Sequence, residues 1–176
     1  GVKIQEEILA ADKESVGEDY SLADCYLEFG KAMVKNNLAD EAIKNLEKAL
    51  LSYRRIWQKD AQNLMTRHRI ANAQRFLADA FFQKNDLAKA SENYEQAHIV
   101  FEELTSSDTE NIDWQQDLAM SFMRRGEFAL KKTDKPKALE NFRQALPIFE
   151  KLAANSPENI KRKNELENIK SLLIRL

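Results

Sequence analysis

Apolar residues recur at three- and four-residue spacing through most of this chain. Leu46, Ala49, Leu50, Tyr53 and Ile56 form one such stripe, the buried edge of an amphipathic helix. The stripe returns 48 residues later as Tyr94, Ala97, His98, Phe101 and Leu104, and again as Phe142, Ala145, Leu146, Phe149 and Leu152. Segments 42–49, 90–97 and 138–145 align without a gap in that register. Upstream, Ala23, Ala71 and Ala119 share a column, and Gly30, Ala78 and Gly126 share another. Asn63, Asn111 and Asn159 repeat at the same step in the polar stretches between. So many coincidences in one register make the chain a repeat protein.

Each repeat reads as two helices. Asn85-Asp86 and Thr133-Asp134-Lys135-Pro136 mark breaks between partners, with proline placed at the start of the following helix. Ser107 with Glu110 has the spacing of a capping box, and Ser156-Pro157 that of an N-cap followed by proline. The pattern predicts helices over 19–35, 39–59, 62–84, 87–105, 109–132, 135–154 and 158–175. Pro147, inside the sixth, is expected to bend it, since proline lacks the N–H an interior turn needs.

The columns carry a family pattern. A large residue stands at Tyr26, Gln74 and Phe122, then the pairs Phe29-Gly30, Leu77-Ala78 and Arg125-Gly126, then Met33, Phe81 and Ala129. The second helix supplies Ala42, Ala90 and Ala138, then Leu46, Tyr94 and Phe142, then Ala49, Ala97 and Ala145. This resembles the tetratricopeptide (TPR) signature, in which small residues let paired helices approach closely. The resemblance covers the whole length and implies an all-α, right-handed α-solenoid of antiparallel helix pairs. The period is 48 residues against the family's usual length of about 34. Arg54, Glu102 and Glu150 fill the family's proline column, so the second helix runs on, as in a long-helix variant. The expected organisation is one repeat domain over 1–176: a remnant helix of a preceding repeat (1–16), repeats at 17–60, 61–108 and 109–156, and a capping helix (157–176). Ile174, bulky in a small-residue column, is the reason to read the last helix as a cap.

Composition agrees with a helical core. Only 4 Gly and 3 Pro among 176 residues argue against sandwiches and barrels, and 43% hydrophobic with 32% charged residues argues against global disorder. Lys+Arg 27 against Asp+Glu 29, a net charge of −2, gives no field to recruit nucleic acid or anionic membrane. The basic pairs are interleaved with acids. One cysteine, Cys25, allows neither a disulfide framework nor a cysteine zinc cluster, and with no transmembrane or signal pattern a cytoplasmic setting is expected. No nucleophile elbow, phosphate loop or metalloprotease motif occurs, so no catalytic residue, metal or cofactor is expected. His98 shares a column with Leu50 and Leu146 and reads as a packing residue; Cys25 shares one with Ala73 and Ser121.

The family resemblance implies a concave groove lined by first helices. Carried onto this sequence, its residues are Leu27 and Lys31 from the first repeat and Arg75, Phe76, Asp79 and Phe82 from the second. The third contributes Met120, Met123, Arg124, Glu127 and Lys131. Apolar anchors beside arginines are typical of binding hot spots, and methionine adapts to imperfect ligands. The expected role is a non-catalytic scaffold binding a peptide or partner domain; the alternative is a regulatory or oligomerising segment of a larger multidomain signalling enzyme. Expected partners are a protein or peptide and a second copy meeting the exposed terminal edges, with neither nucleic acid nor membrane. The two-carboxylate clamp of chaperone-binding TPR domains would fall on Leu27, Lys31, Phe76, Met120 and Arg124. Only Arg124 matches it, so capture of a chaperone C-terminal carboxylate by that clamp is not expected.

Overall fold

The computed structural model describes residues 16–176, with side chains from Tyr20 onward. The expected remnant helix at 1–16 falls almost wholly outside the described residues. Among those described the fold is all-α, with seven helices and no strand: α1 (Val16–Lys35), α2 (Ala39–Lys59), α3 (Leu64–Gln83), α4 (Leu87–Ser107), α5 (Ile112–Lys131), α6 (Lys135–Ala154) and α7 (Ile160–Arg175). The helix starts repeat at the sequence period. Ala39, Leu87 and Lys135 are 48 apart, as are Leu64, Ile112 and Ile160.

The turns inside the hairpins repeat too. Asn37, Asn85 and Thr133 all take left-handed backbone, at φ 58, 59 and 60°. One residue on, the N–H groups of Leu38, Asp86 and Asp134 each donate at 2.9 Å to carbonyls five residues back, on Met33, Phe81 and Ala129. Together with the bonds from Asn37 to Val34 (3.1 Å), Asn85 to Phe82 (3.0 Å) and Thr133 to Leu130 (2.9 Å), this is a Schellman ending in every case. Asn suits the left-handed position; Thr133, β-branched, adopts it because the surrounding bonds are the same.

Between hairpins the structure corrects two sequence expectations. Ser107 does not cap a helix: it is the last residue of α4, and its hydroxyl donates to the Leu104 carbonyl at 2.7 Å. Ser156-Pro157 likewise precedes the cap. The caps are Asn63, Asn111 and Asn159, whose side chains accept from the N–H of Thr66, Trp114 and Arg162 at 3.0, 3.1 and 3.2 Å. Each relieves one orphan donor of the first turn. Asn111→Ala should therefore lower stability by about 1 kcal/mol, read as a lower urea midpoint at unchanged m-value. The helix α6 continues through Pro147. Proline has no N–H, so the Arg143 carbonyl lacks its usual helical donor, and both residues are exposed.

The chain divides into two compact units, Gly1–Ala97 and His98–Leu176. In the first, α2 packs against α1 and α3, and α3 also touches α1. Ala23, Ala42, Ala49 and Ala71 are wholly buried, and so are Leu46 and Tyr53. In the second, α6 packs against α5 and α7 around Ala119, Ala138, Phe142, Ala145, Phe149, Leu152 and Ile169. Small residues decide how near the helices come. A Cβ on Gly30 would stand 2.5 Å from Leu46 Cγ, and one on Gly126 would stand 2.3 Å from Phe142 Cε1. Ile174, read from sequence as an obstruction, is 85% exposed, while Leu172, Leu173 and Leu176 pack against the core.

Candidate binding surface

In the first unit the first-helix residues of the expected groove come from α1 and α3. These helices are tied by the Gln83 side-chain amide, which donates to the Val34 carbonyl at 2.8 Å. Phe76 is half-buried and flanked by two cations: the Arg75 guanidinium lies 4.1 Å and the Lys31 ammonium 5.4 Å from its ring centroid. Both distances are within cation–π reach. Lys31 is also held by Glu28 at 2.7 Å, and Arg75 donates to Asn72 Oδ1 at 3.0 Å. Phe82 is half-buried. Asp79 accepts from the Tyr94 hydroxyl at 2.6 Å inside the unit.

Burial sorts this set. Leu27 is 1% exposed, Arg75 and Asp79 6% each. Leu27 is a core residue and is not offered to a partner; Asp79 works internally, tying α3 to α4. Arg75 presents no free charge, but its guanidinium braces the Phe76 ring. What α1 and α3 offer at their surface is Lys31, Phe76 and Phe82.

The second unit has its own first-helix face on α5. Arg124 and Glu127 form an ion pair at 2.7 Å, both about a third exposed. Met120 is half-buried and packs against the core. Met123 is buried at 5%, and its sulfur takes the Asn168 amide at 3.7 Å, so it too belongs to the interior. Lys131 is exposed at the end of α5.

Two polar groupings escaped the sequence reading. Asp24 on α1 accepts from the Tyr53 hydroxyl of α2 and pairs with Arg69 of α3 at 3.5 Å, joining three helices through one carboxylate. Burial, then the bond to Asp24, raises the Tyr53 hydroxyl far above the usual phenol range, so it remains a donor. In the second unit His98 is 3% exposed. Its Nδ1 lies 2.9 Å from Ser121 Oγ, and its ring meets Phe122 edge-on with centroids 4.6 Å apart. Ser121 also reaches the Leu118 carbonyl at 2.8 Å. A carbonyl only accepts, so Ser121 donates there and His98 Nδ1–H donates to Ser121. The 48-residue step would have flagged His98, the one polar member of its column; nothing in sequence places Ser121 beside it.

Among the described residues no group of three or more His, Cys, Asp or Glu gathers as metal ligands, and no helix is long and apolar enough to cross a membrane. Compared with protein-family models and with curated proteins, the chain matches none. Among solved structures it is similar to BtubC (BKLC) from P. vanneervenii, at 18% identity over 99% of this chain and 84% of that one, with a TM-score of 0.44.

Proposed function

We propose that this chain is a non-catalytic binding protein, a TPR-like right-handed α-solenoid whose first helices present the ligand surface to a peptide or partner domain. The observation that supports this reading is Phe76: a half-buried aromatic ring braced by cations from two helices. Rigid aromatic and arginine pairs of this kind carry a disproportionate share of binding energy, because little side-chain entropy remains to be lost. Met120 and the Arg124–Glu127 pair give the α5 face the same mixture of adaptable apolar surface and fixed charge. The 48-residue recurrence of helix starts, caps and Schellman turns supports the repeat architecture.

The test is affinity capture from source-cell lysate with the native chain and Phe76→Ala, after circular dichroism has established equal helicity. A partner retained by the native chain and weakened about tenfold or more by the variant is the expected result. A partner held equally by both removes this face from the interface. No retained partner removes the binding reading.

A further inference from the structure

Along the chain basic and acidic residues are interleaved; on the outward sides of the second helices they separate. The buried stripe of α2 runs through Leu46, Ala49, Leu50, Tyr53 and Ile56. The opposite side bears Lys44, Lys48, Arg54, Arg55 and Lys59 around Leu51, all exposed, with Glu47 as the acid among them. The same columns of α4, 48 residues on, bear Glu92, Glu95, Glu102 and Glu103 around Ile99, again all exposed, with glutamine and serine in the rest. On α6 the charges balance: Glu140, Arg143, Glu150 and Lys151 stand around Pro147. Leu51 and Ile99, the apolar centres of the two charged faces, are 54% and 45% exposed.

Three columns reverse sign outright: Lys44/Glu92, Arg54/Glu102 and Arg55/Glu103. Each pair stands at the same distance along its helix from the apolar centre. With α2 and α4 of two copies laid parallel and Leu51 level with Ile99, every cation of these columns comes level with a carboxylate over about 16 Å. Glu47 and Glu95 meet like to like, so the register depends on the other three. Glu92 accepts from Gln96 at 3.2 Å, and Glu102 lies 3.3 Å from His98 Nε2. A carboxylate has about four acceptor sites, so both can also take a bond from outside. The net charge of −2 means that copies barely repel one another. A foreign partner would need only one of these faces. Carrying both, matched column for column about the same centre, makes each copy the complement of another.

We propose that the protein self-associates through these faces, the α2 face of one copy lying along the α4 face of another. Leu51 and Ile99 form the apolar centre of the contact. The charged columns form its rim and set direction and register more than affinity. This surface is separate from the first-helix face and from the terminal edges at which the sequence suggested a second copy.

Sedimentation equilibrium of the full chain is the test. Self-association is expected at about 0.05 M salt, with the dissociation constant rising about tenfold or more at about 0.5 M as the rim charges are screened. Lys44→Glu/Arg55→Glu and Glu92→Lys/Glu103→Lys each place like charges opposite one another in two of the three columns. Each variant alone should be monomeric, with an unchanged thermal melt, since all four positions are exposed. An equimolar mixture of the two should associate again, because opposite signs return in every reversed column. A native chain that stays monomeric overturns the proposal, whether residues 1–15, another protein or solvent then covers the faces. So does a variant that associates as well as the native chain, or a mixture that stays monomeric.

Discussion

Gly126→Ala is expected to destabilise the protein by about 2 kcal/mol, although a glycine-to-alanine change inside an exposed helix normally stabilises by about 1 kcal/mol. The sign is the test. The added methyl would lie 2.3 Å from Phe142 Cε1 and 2.6 Å from Cδ1, and Phe142 is completely buried. The ring belongs to the same closed core as Ala119, Ala145, Phe149 and Leu152, so it moves aside only by displacing packed neighbours. Overpacking of this kind costs about 1–3 kcal/mol or more, which exceeds the gain in helix propensity. The equivalent position in the preceding repeat is already alanine, Ala78, and the aromatic in the column of Phe142 is there Tyr94, whose hydroxyl is held by Asp79 at 2.6 Å. Urea titration decides the matter. A raised midpoint would mean that Phe142 moves aside freely and that close approach at Gly126 is not what the packing requires.

Acid should weaken the fold through His98. Burial first, and the Arg125 guanidinium second, push its pKa down to about 4 from an ordinary 6.5. Glu102 Oε1 lies 3.3 Å from Nε2 and favours the charged ring, but its side chain is 52% exposed and its field is screened by water. In the neutral ring Nε2 is an acceptor and makes no bond to the carboxylate; desolvation prevails. Below pH 6.5 the unfolded chain takes up a proton that the folded state refuses until about pH 4. Stability therefore falls as pH drops through that window, by about 3 kcal/mol at its lower end. His98→Leu, matching Leu50 and Leu146 in its column, should flatten this part of the profile and leave Ser121 bonded to Leu118. An unchanged slope between pH 6.5 and 4 in the variant would assign the acid sensitivity elsewhere.

The helices were legible because repetition and local chemistry agree. The starts at Ala39, Leu87 and Lys135 coincide with the expected ones, where Asn85-Asp86 and Thr133-Asp134 break the apolar stripe. The starts of α5 and α7 lie two to three residues later than expected. There Ser107/Glu110 and Ser156-Pro157 imitate caps, and local patterns do not reveal which of two adjacent candidates has the backbone geometry. The column Asn63, Asn111 and Asn159 was in view as a repeat but not as the cap. Burial was less legible than position. Helical spacing says that Leu27, Lys31 and Val34 share a face, but not that Leu27 is sealed while Lys31 reaches Phe76. That distinction is made by neighbouring helices. The His98–Ser121 bond spans 23 residues between two helices and has no sequence signature.

The near-equal lengths of α3 and α4, 20 and 21 residues, constrain how such a hairpin changes size. One residue inserted within a helix turns everything beyond it by about 100°, carrying the buried alanines out of the crossing and polar residues into it. Seven inserted residues fall within about 20° of two whole turns, so the stripe stays inward. Matching growth in the partner helix brings both turns back to the same level. Hairpins of this design therefore lengthen in steps of about fourteen residues, while the exposed turns between them absorb single insertions and deletions.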